Sequence, residues 1–178
     1  MKTTATLSRR RFALAGSALV LAACAGESRS TSTRKTAVMS ATTDANTDWA
    51  NLSEREWRER LTDEEFRVLR KEGTEAPWTS PLNEVKAPGT FACAGCALPL
   101  FKTSMKFDSG TGWPSFFEVV DGAVGTKKDF KLIVPRTEYH CSRCGGHQGH
   151  VFKDGPAPTG LRYCNNGVAL DFVPDVES

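Results

Sequence analysis

The chain has 178 residues and a mass of 19.4 kDa, room for one domain and an appendage rather than two full domains. With 39% hydrophobic and 25% charged residues, the composition is that of an ordinary globular protein and excludes wholesale disorder or a collagen-like repeat. The net charge of +2 misdescribes the body of the protein. Lys2, Arg9, Arg10 and Arg11 precede Cys24 and no acid does, so removing those four charges from +2 leaves −2. A mildly acidic body lacks the basic patch that nucleic acid needs in order to release counterions, so no nucleic-acid partner is expected.

Residues 1–23 have the form of an export signal. The basic cluster Arg9-Arg10-Arg11 is followed by the apolar run Phe12–Ala23, which is shorter than the ~20 residues needed to span a bilayer and suits the core of a cleaved signal. Ser8-Arg9-Arg10-Arg11-Phe12 resembles a twin-arginine signal, whose machinery exports folded proteins, and Leu21-Ala22-Ala23-Cys24 resembles a bacterial lipobox. Together they predict a periplasmic or cell-envelope protein held to a membrane by a lipid on Cys24. Residues 24–50 read as a tether: half of the residues from Ser28 to Thr47 are Ser or Thr, with no aromatic among them, so they bury too little to offset the entropy of ordering. Such a tether has a flexible reach of about 25–30 Å.

The folded part is expected over residues 51–175. Ser53 with Glu56 and Thr62 with Glu65 form two possible capping boxes, each followed by apolar residues at helical spacing. They predict two short helices between Ser53 and Glu72, with Gly73 as a stop. Beyond Gly73 the pattern changes to short runs of β-branched and aromatic residues between Gly, Pro, Ser and Asn. Strands are expected at Gly89–Cys93, Phe116–Val120, Lys131–Val134, Glu138–Cys141, Gly149–Phe152 and Val168–Val173. The fold class is therefore mainly β, a compact antiparallel sandwich or barrel-like domain with short N-terminal helices.

Cys93-Ala94-Gly95-Cys96 and Cys141-Ser142-Arg143-Cys144 are two Cys-x-x-Cys knuckles. Two intervening residues let one tight turn aim both sulfurs at a single ion, with Gly95 and Gly145 expected to ease the turns. Paired knuckles fit one closed four-cysteine zinc site of the structural type, with no open position for water or substrate. Disulfides, or iron on the same four thiolates, are the alternatives. His140, beside Cys141, is expected on an edge strand or exposed rather than as a ligand.

One cysteine is left over. Cys164 lies in Gly160-Leu161-Arg162-Tyr163-Cys164-Asn165-Asn166, where Arg162 and the neighbouring amides would favour a thiolate. A lone cysteine is as readily a buried inert thiol. Its company favours chemistry: His147 and His150 in Gly146-His147-Gln148-Gly149-His150, and Trp113 in Gly112-Trp113-Pro114-Ser115-Phe116. These stretches, with Asp154-Gly155-Pro156 and Pro158-Thr159-Gly160, resemble the B-type methionine-R-sulfoxide reductase family in four separated motifs. The resemblance runs from the helices near Ser53 to about Val173 and leaves the leader and tether outside it.

The resemblance implies reduction of the R epimer of methionine sulfoxide in oxidised proteins, an oxidative lesion. It makes Cys164 the nucleophile and Cys164 sulfenic acid the intermediate. His147 and His150 become the groups that hydrogen-bond and protonate the departing oxygen. Arg162 and Asn166 become polar residues lining the site, and Trp113 the ring that receives the substrate methyl. Many members carry a second cysteine at the position of Thr111, which condenses with the sulfenic acid. Thr111 cannot, so regeneration by an external thiol or a thioredoxin-like donor is expected. The competing reading is a lipoprotein with a zinc-knuckle β-domain that binds peptides without catalysis. A monomer is the default expectation.

Overall fold

The computed structural model describes residues 47–131 and 134–176. The expected export signal, the expected lipobox at Cys24 and nearly all of the expected tether therefore lie outside the described residues. Among the described residues no helix is long and apolar enough to cross a membrane.

Both capping boxes form. Helix α1, Glu54–Arg60, starts where the Ser53 hydroxyl accepts from the Glu56 N–H, and the Glu56 carboxylate accepts from the Ser53 N–H at 2.8 Å. Helix α2, Asp63–Lys71, repeats the device with Thr62 and Glu65. Each box satisfies donors that a helix start otherwise leaves unpaired. The stop is not made by Gly73: Glu72 itself takes the left-handed conformation, φ 53°, and the Gly73 N–H donates to the Arg67 carbonyl. Trp57 of α1 and Phe66, Val68 and Leu69 of α2 are buried.

Nine strands follow among the described residues, all paired antiparallel. They are β1 Gly89–Cys93, β2 Pro99–Lys102, β3 Lys106–Phe107, β4 Ser115–Phe116, β5 Val124–Asp129, β6 Arg136–Cys141, β7 His147–Phe152, β8 Arg162–Asn165 and β9 Leu170–Pro174. One sheet has the order β2-β1-β9 and the other β3-β4-β8-β7-β6-β5. The fold is mainly β with two short helices, as expected. Three strand expectations need correction. Only the first residue of Phe116–Val120 is in a strand; Val168–Val173 starts as a 3₁₀ turn, Gly167–Ala169; and Lys131 and Val134 lie outside any strand, in the β5–β6 connection. His140 is not on an edge either, since β6 lies between β5 and β7.

Aromatic rings from both sheets form the core. Phe101 of β2 stacks on Phe116 of β4 at 4.0 Å between centroids, and Phe91 of β1 meets Phe116 edge-on at 5.0 Å. Tyr139 and Tyr163 pack edge to face at 5.3 Å beside them. Such pairs add about 0.5–1.5 kcal/mol each beyond the area they bury. Because Tyr163 faces this core, its strand neighbours Arg162 and Cys164 face the other side.

Candidate active site

Cys164 lies on β8, between β4 and β7, directly opposite Ser115 on one side and His150 on the other. Opposed residues of paired strands share a face. Strand β7 can run this close because of Gly149: a Cβ there would sit 1.9 Å from the Cys164 carbonyl oxygen. A cavity of about 130 Å³ opens over this face, lined by Trp113, His150, Phe152, Cys164 and Asn166, with Thr74 and Arg136 at its border. Four of the six expected catalytic and substrate residues therefore share one cavity. His147 lies behind His150, their rings 5.5 Å apart, and lines a neighbouring cavity. Arg162 lines neither but shares the face of Cys164.

Each histidine is held by a carboxylate that nothing in the sequence singles out. His147 Nδ1 is 2.8 Å from Glu138, a buried acid; burial would raise its carboxyl, but His147, Lys127 and His140 hold it below the ordinary range. His150 Nε2 is 2.7 Å from Asp129, whose carboxylate also accepts from the Lys131 N–H and Arg136. Burial, with Arg136 and His147 adding to it, holds the pKa of His150 below the ordinary histidine range against the upward pull of Asp129. The neutral ring of His150 is thereby favoured over the charged one.

Trp113 is fixed from behind. Its indole N–H donates to the Glu75 carbonyl at 3.2 Å, while the buried Glu75 carboxylate accepts from the N–H groups of Gly167 and Val168. The Asn166 side chain donates to the Gln148 carbonyl and accepts from the Glu75 N–H. Asn165 is taken up by Tyr139 and the Asn166 carbonyl. The amides expected to soften the Cys164 thiol are thus committed to the scaffold. Glu75, Glu138 and Asp129 are visible only once the chain is folded.

Burial pushes the Cys164 thiol above the ordinary cysteine range, while the Arg162 guanidinium and the Thr111 hydroxyl pull it back. Arg162 is aimed by two 2.9 Å bonds to Asp154 and lies over the Phe152 ring at 4.4 Å. Removing this cation leaves burial less opposed, so Arg162→Leu is expected to raise the Cys164 pKa. Iodoacetamide should then alkylate Cys164 about 3–10-fold more slowly at pH 8. An unchanged rate-against-pH profile would refute the role given to Arg162.

The four knuckle cysteines converge as the spacing requires. Their sulfurs all lie within 4.8 Å of one another and all four residues are buried, so they could hold a metal ion. The Cys93–Cys144 and Cys96–Cys141 sulfurs are 3.7 and 3.5 Å apart, close to the edge of a tetrahedron with bonds of about 2.3 Å. The turns differ from expectation at one point. Ala97 (φ 58°) and Gly145 (φ 68°) take the left-handed corners, whereas Gly95 does not have a positive φ. Donors also reach the sulfurs: Gly146 N–H to Cys144 and Gln148 Nε2 to Cys93, both at 3.4 Å.

Comparison with known proteins places this geometry. The model of the SelR domain matches residues 61–174. A peptide methionine sulfoxide reductase MsrB of Agrobacterium fabrum is 51% identical over 125 residues, 70% of this chain and 93% of that protein. Those of Leptospira interrogans and Methanosarcina barkeri are each 50% identical, over 94% and 89% of their lengths. The chain belongs to the MsrB family.

Within that family setting, the position of Thr111 carries weight. Its hydroxyl lies 4.0 Å from the Cys164 sulfur, where the resemblance places a second cysteine in many MsrB proteins. Ser109 Oγ bridges Thr111 and Ser115, each at 2.8 Å, so the hydroxyl is built into the scaffold. Among the described residues every cysteine other than Cys164 stands in the four-sulfur cluster.

Proposed function

We propose that this chain reduces the R epimer of methionine sulfoxide in proteins, with Cys164 as nucleophile. The observation that carries the reading is the cavity in which Cys164 faces His150 beside the braced Trp113. A substrate methyl resting on the Trp113 ring places an apolar group on an aromatic face and the sulfoxide sulfur near Cys164. With Nε2 turned to Asp129, neutral His150 offers Nδ1 to take the thiol proton. The Cys164 sulfur bonds to the sulfoxide sulfur, His150 returns the proton to the oxygen as the S–O bond breaks, and the hydroxyl bonds to the Cys164 sulfur as the sulfur–sulfur bond breaks. The thiol supplies two electrons, the oxygen and proton end on Cys164 as sulfenic acid, and methionine leaves. His147, oriented by Glu138, supports the same oxygen. Asn166 shapes the floor of the cavity and Arg162 favours the attacking thiolate. The peptide-binding reading without catalysis is not favoured, because a binder has no use for this arrangement around Cys164.

Regeneration falls to an external small thiol or a thioredoxin-like donor, because Thr111 cannot form a disulfide. The test uses peptides carrying pure R or pure S methionine sulfoxide. Dithiothreitol should support turnover of R only. One equivalent of R substrate without reductant should leave one added oxygen on Cys164 by mass spectrometry. Turnover of neither epimer would end the reading, and an internal Cys164 disulfide would end the recycling scheme.

The four-cysteine cluster is read as one structural zinc, since a closed thiolate set has no position for substrate. Rings of the small sheet stacked on those of the large one support a barrel-like sandwich over residues 51–175, working as a monomer. Residues 1–23 are read as a twin-arginine signal with a lipobox, and residues 24–50 as a tether holding the enzyme in the periplasm or cell envelope, its last residues at Trp49 already packed on Trp57 of the domain. Palmitate labelling of expressing bacteria should mark the protein and be lost in Cys24→Ala; labelling that survives this change would refute the anchor.

A further inference from the structure

Beside the Cys164 cavity lies a second of about 390 Å³, which shares Thr74, Arg136 and His150 with it and whose outer rim takes no part in the chemistry above. The register gives the distance between them. Cys164 opposes His150, His150 opposes Glu138 and Glu138 opposes Lys127, in one line across β8, β7, β6 and β5. Three interstrand steps of about 4.8 Å make roughly 14 Å, which an extended chain covers in about four residues.

The charge on this second cavity is sorted by depth. Asp129 and Glu138 have side chains only 9% and 3% exposed and are turned onto Arg136, His150 and His147. At the rim the ammonium groups of Lys127 and Lys131, 52% and 56% exposed, converge on one carboxylate, that of Glu72. Lys128 is exposed at the same rim. Lys127 also lies 3.5 Å from buried Glu138, so three lysines face Glu72 and one buried carboxylate and leave the rim positive, although the body of the protein is mildly acidic. Phe130, 71% exposed, adds an apolar surface between them.

We infer that this rim selects protein substrates carrying an acidic side chain three or four residues from the oxidised methionine. The inference rests on the reductase reading and adds sequence preference to it. A polypeptide crossing the strands with its sulfoxide at Cys164 brings that side chain to Lys127 and Lys131, beside Phe130. The reductant is the other protein that could use the rim. The substrate is favoured because the rim continues the cavity holding the reacting sulfur.

The experiment compares peptides of about a dozen residues with a central methionine-R-sulfoxide and either Glu or Lys three and four positions away. The replacements are made before the sulfoxide in one pair and after it in the other. On one side, Glu is expected to exceed Lys by about threefold in kcat/KM at low salt, through KM, the scale of one exposed charge contact. The preference should fade toward 1 M salt, where the screening length drops to about 3 Å. Lys131→Gln, which leaves the backbone N–H on Asp129, should bring the ratio toward one and leave N-acetylmethionine-R-sulfoxide turnover unchanged. Equal rates for Glu and Lys on both sides, or a ratio that survives Lys131→Gln, would overturn the inference. So would a Lys131→Gln effect confined to the KM of a thioredoxin-type donor. Turnover of the small substrate keeps the reductase reading intact in each case; its absence removes both.

Discussion

Replacing Cys164 with serine is expected to abolish reduction of R-methionine sulfoxide, by on the order of a thousandfold or more, without unfolding the protein. The size follows from removing the atom that must bond to the sulfoxide sulfur and accept its oxygen, for which a hydroxyl is a poor substitute at neutral pH. The fold should tolerate the change because the Cys164 side chain is only partly buried. Its contact with the Thr111 hydroxyl, at 4.0 Å, is at the outer limit for sulfur, so little is lost when the shorter serine side chain gives it up. The backbone on which β7 and β8 rely is untouched, including the Cys164 carbonyl against Gly149. A stability change of about 1 kcal/mol or less is expected. The checking measurement is paired: dithiothreitol-supported turnover and a thermal melt on the same preparation. Residual turnover within tenfold of the parent would remove Cys164 from the chemistry, and a collapsed melting curve would contradict the tolerance expected of the fold. Arg162→Leu separates the two further, since it should slow alkylation and turnover together while leaving the nucleophile in place.

What can be read before folding is what local chemistry decides. Ser53 with Glu56 and Thr62 with Glu65 are complete in sequence because a capping box is made of neighbours. The knuckles are legible for the same reason, each Cys-x-x-Cys turn being local and only their pairing long-range. Several strands lack the signal that strands ordinarily give. Pro99 opens β2 and reads as a breaker, while β5 is an edge strand, Val-Gly-Thr-Lys-Lys-Asp, with exposed lysines where alternation would show. In β8 the positions between aromatic and polar neighbours are set by the cavity, not by propensity. Lys131–Val134 is the opposite case: its β-branched character suggests a strand, yet Val134 is exposed in a connection. At the site, the residues of the motifs are visible in the sequence and their supports are not. Glu138 lies nine residues before His147, Asp129 twenty-one before His150, and Glu75 thirty-eight before Trp113. No spacing rule links such partners: Glu138 and His147 meet across paired strands, Asp129 reaches His150 from two strands away, and Glu75 meets Trp113 between loops, so tertiary packing rather than chain proximity brings them together. The same distance hides the setting of His150: only the folded chain shows it half-buried against Asp129, with its pKa held below the ordinary histidine range.

The largest stability effect is expected at the metal cluster. Cys93 is fully buried on β1 and its sulfur stands 3.7 Å from that of Cys144 in the opposite knuckle, so Cys93→Ser removes one of the four sulfurs that could hold a metal ion and leaves a hydroxyl among three thiols. Structural zinc contributes on the order of 10 kcal/mol to the folding of small domains; in a domain with a core of its own, part of that remains after the loss of one ligand. A loss of about 3–5 kcal/mol is therefore expected, read as a melting temperature lower by roughly 10–20 °C. Zinc content by metal analysis should fall in parallel, and chelator treatment of the parent protein should reproduce the shift. The effect should reach the active site through one contact. Gln148 Nε2 donates to the Cys93 sulfur from β7, the strand that carries His147 and His150, and the Gln148 carbonyl accepts from the Asn166 side chain. Loosening the cluster releases Gln148 before it disturbs Cys164, so activity should decline with unfolding temperature rather than ahead of it. A metal-free Cys93→Ser protein that melts with the parent would show that the rings of the core, not the cluster, hold the two sheets together.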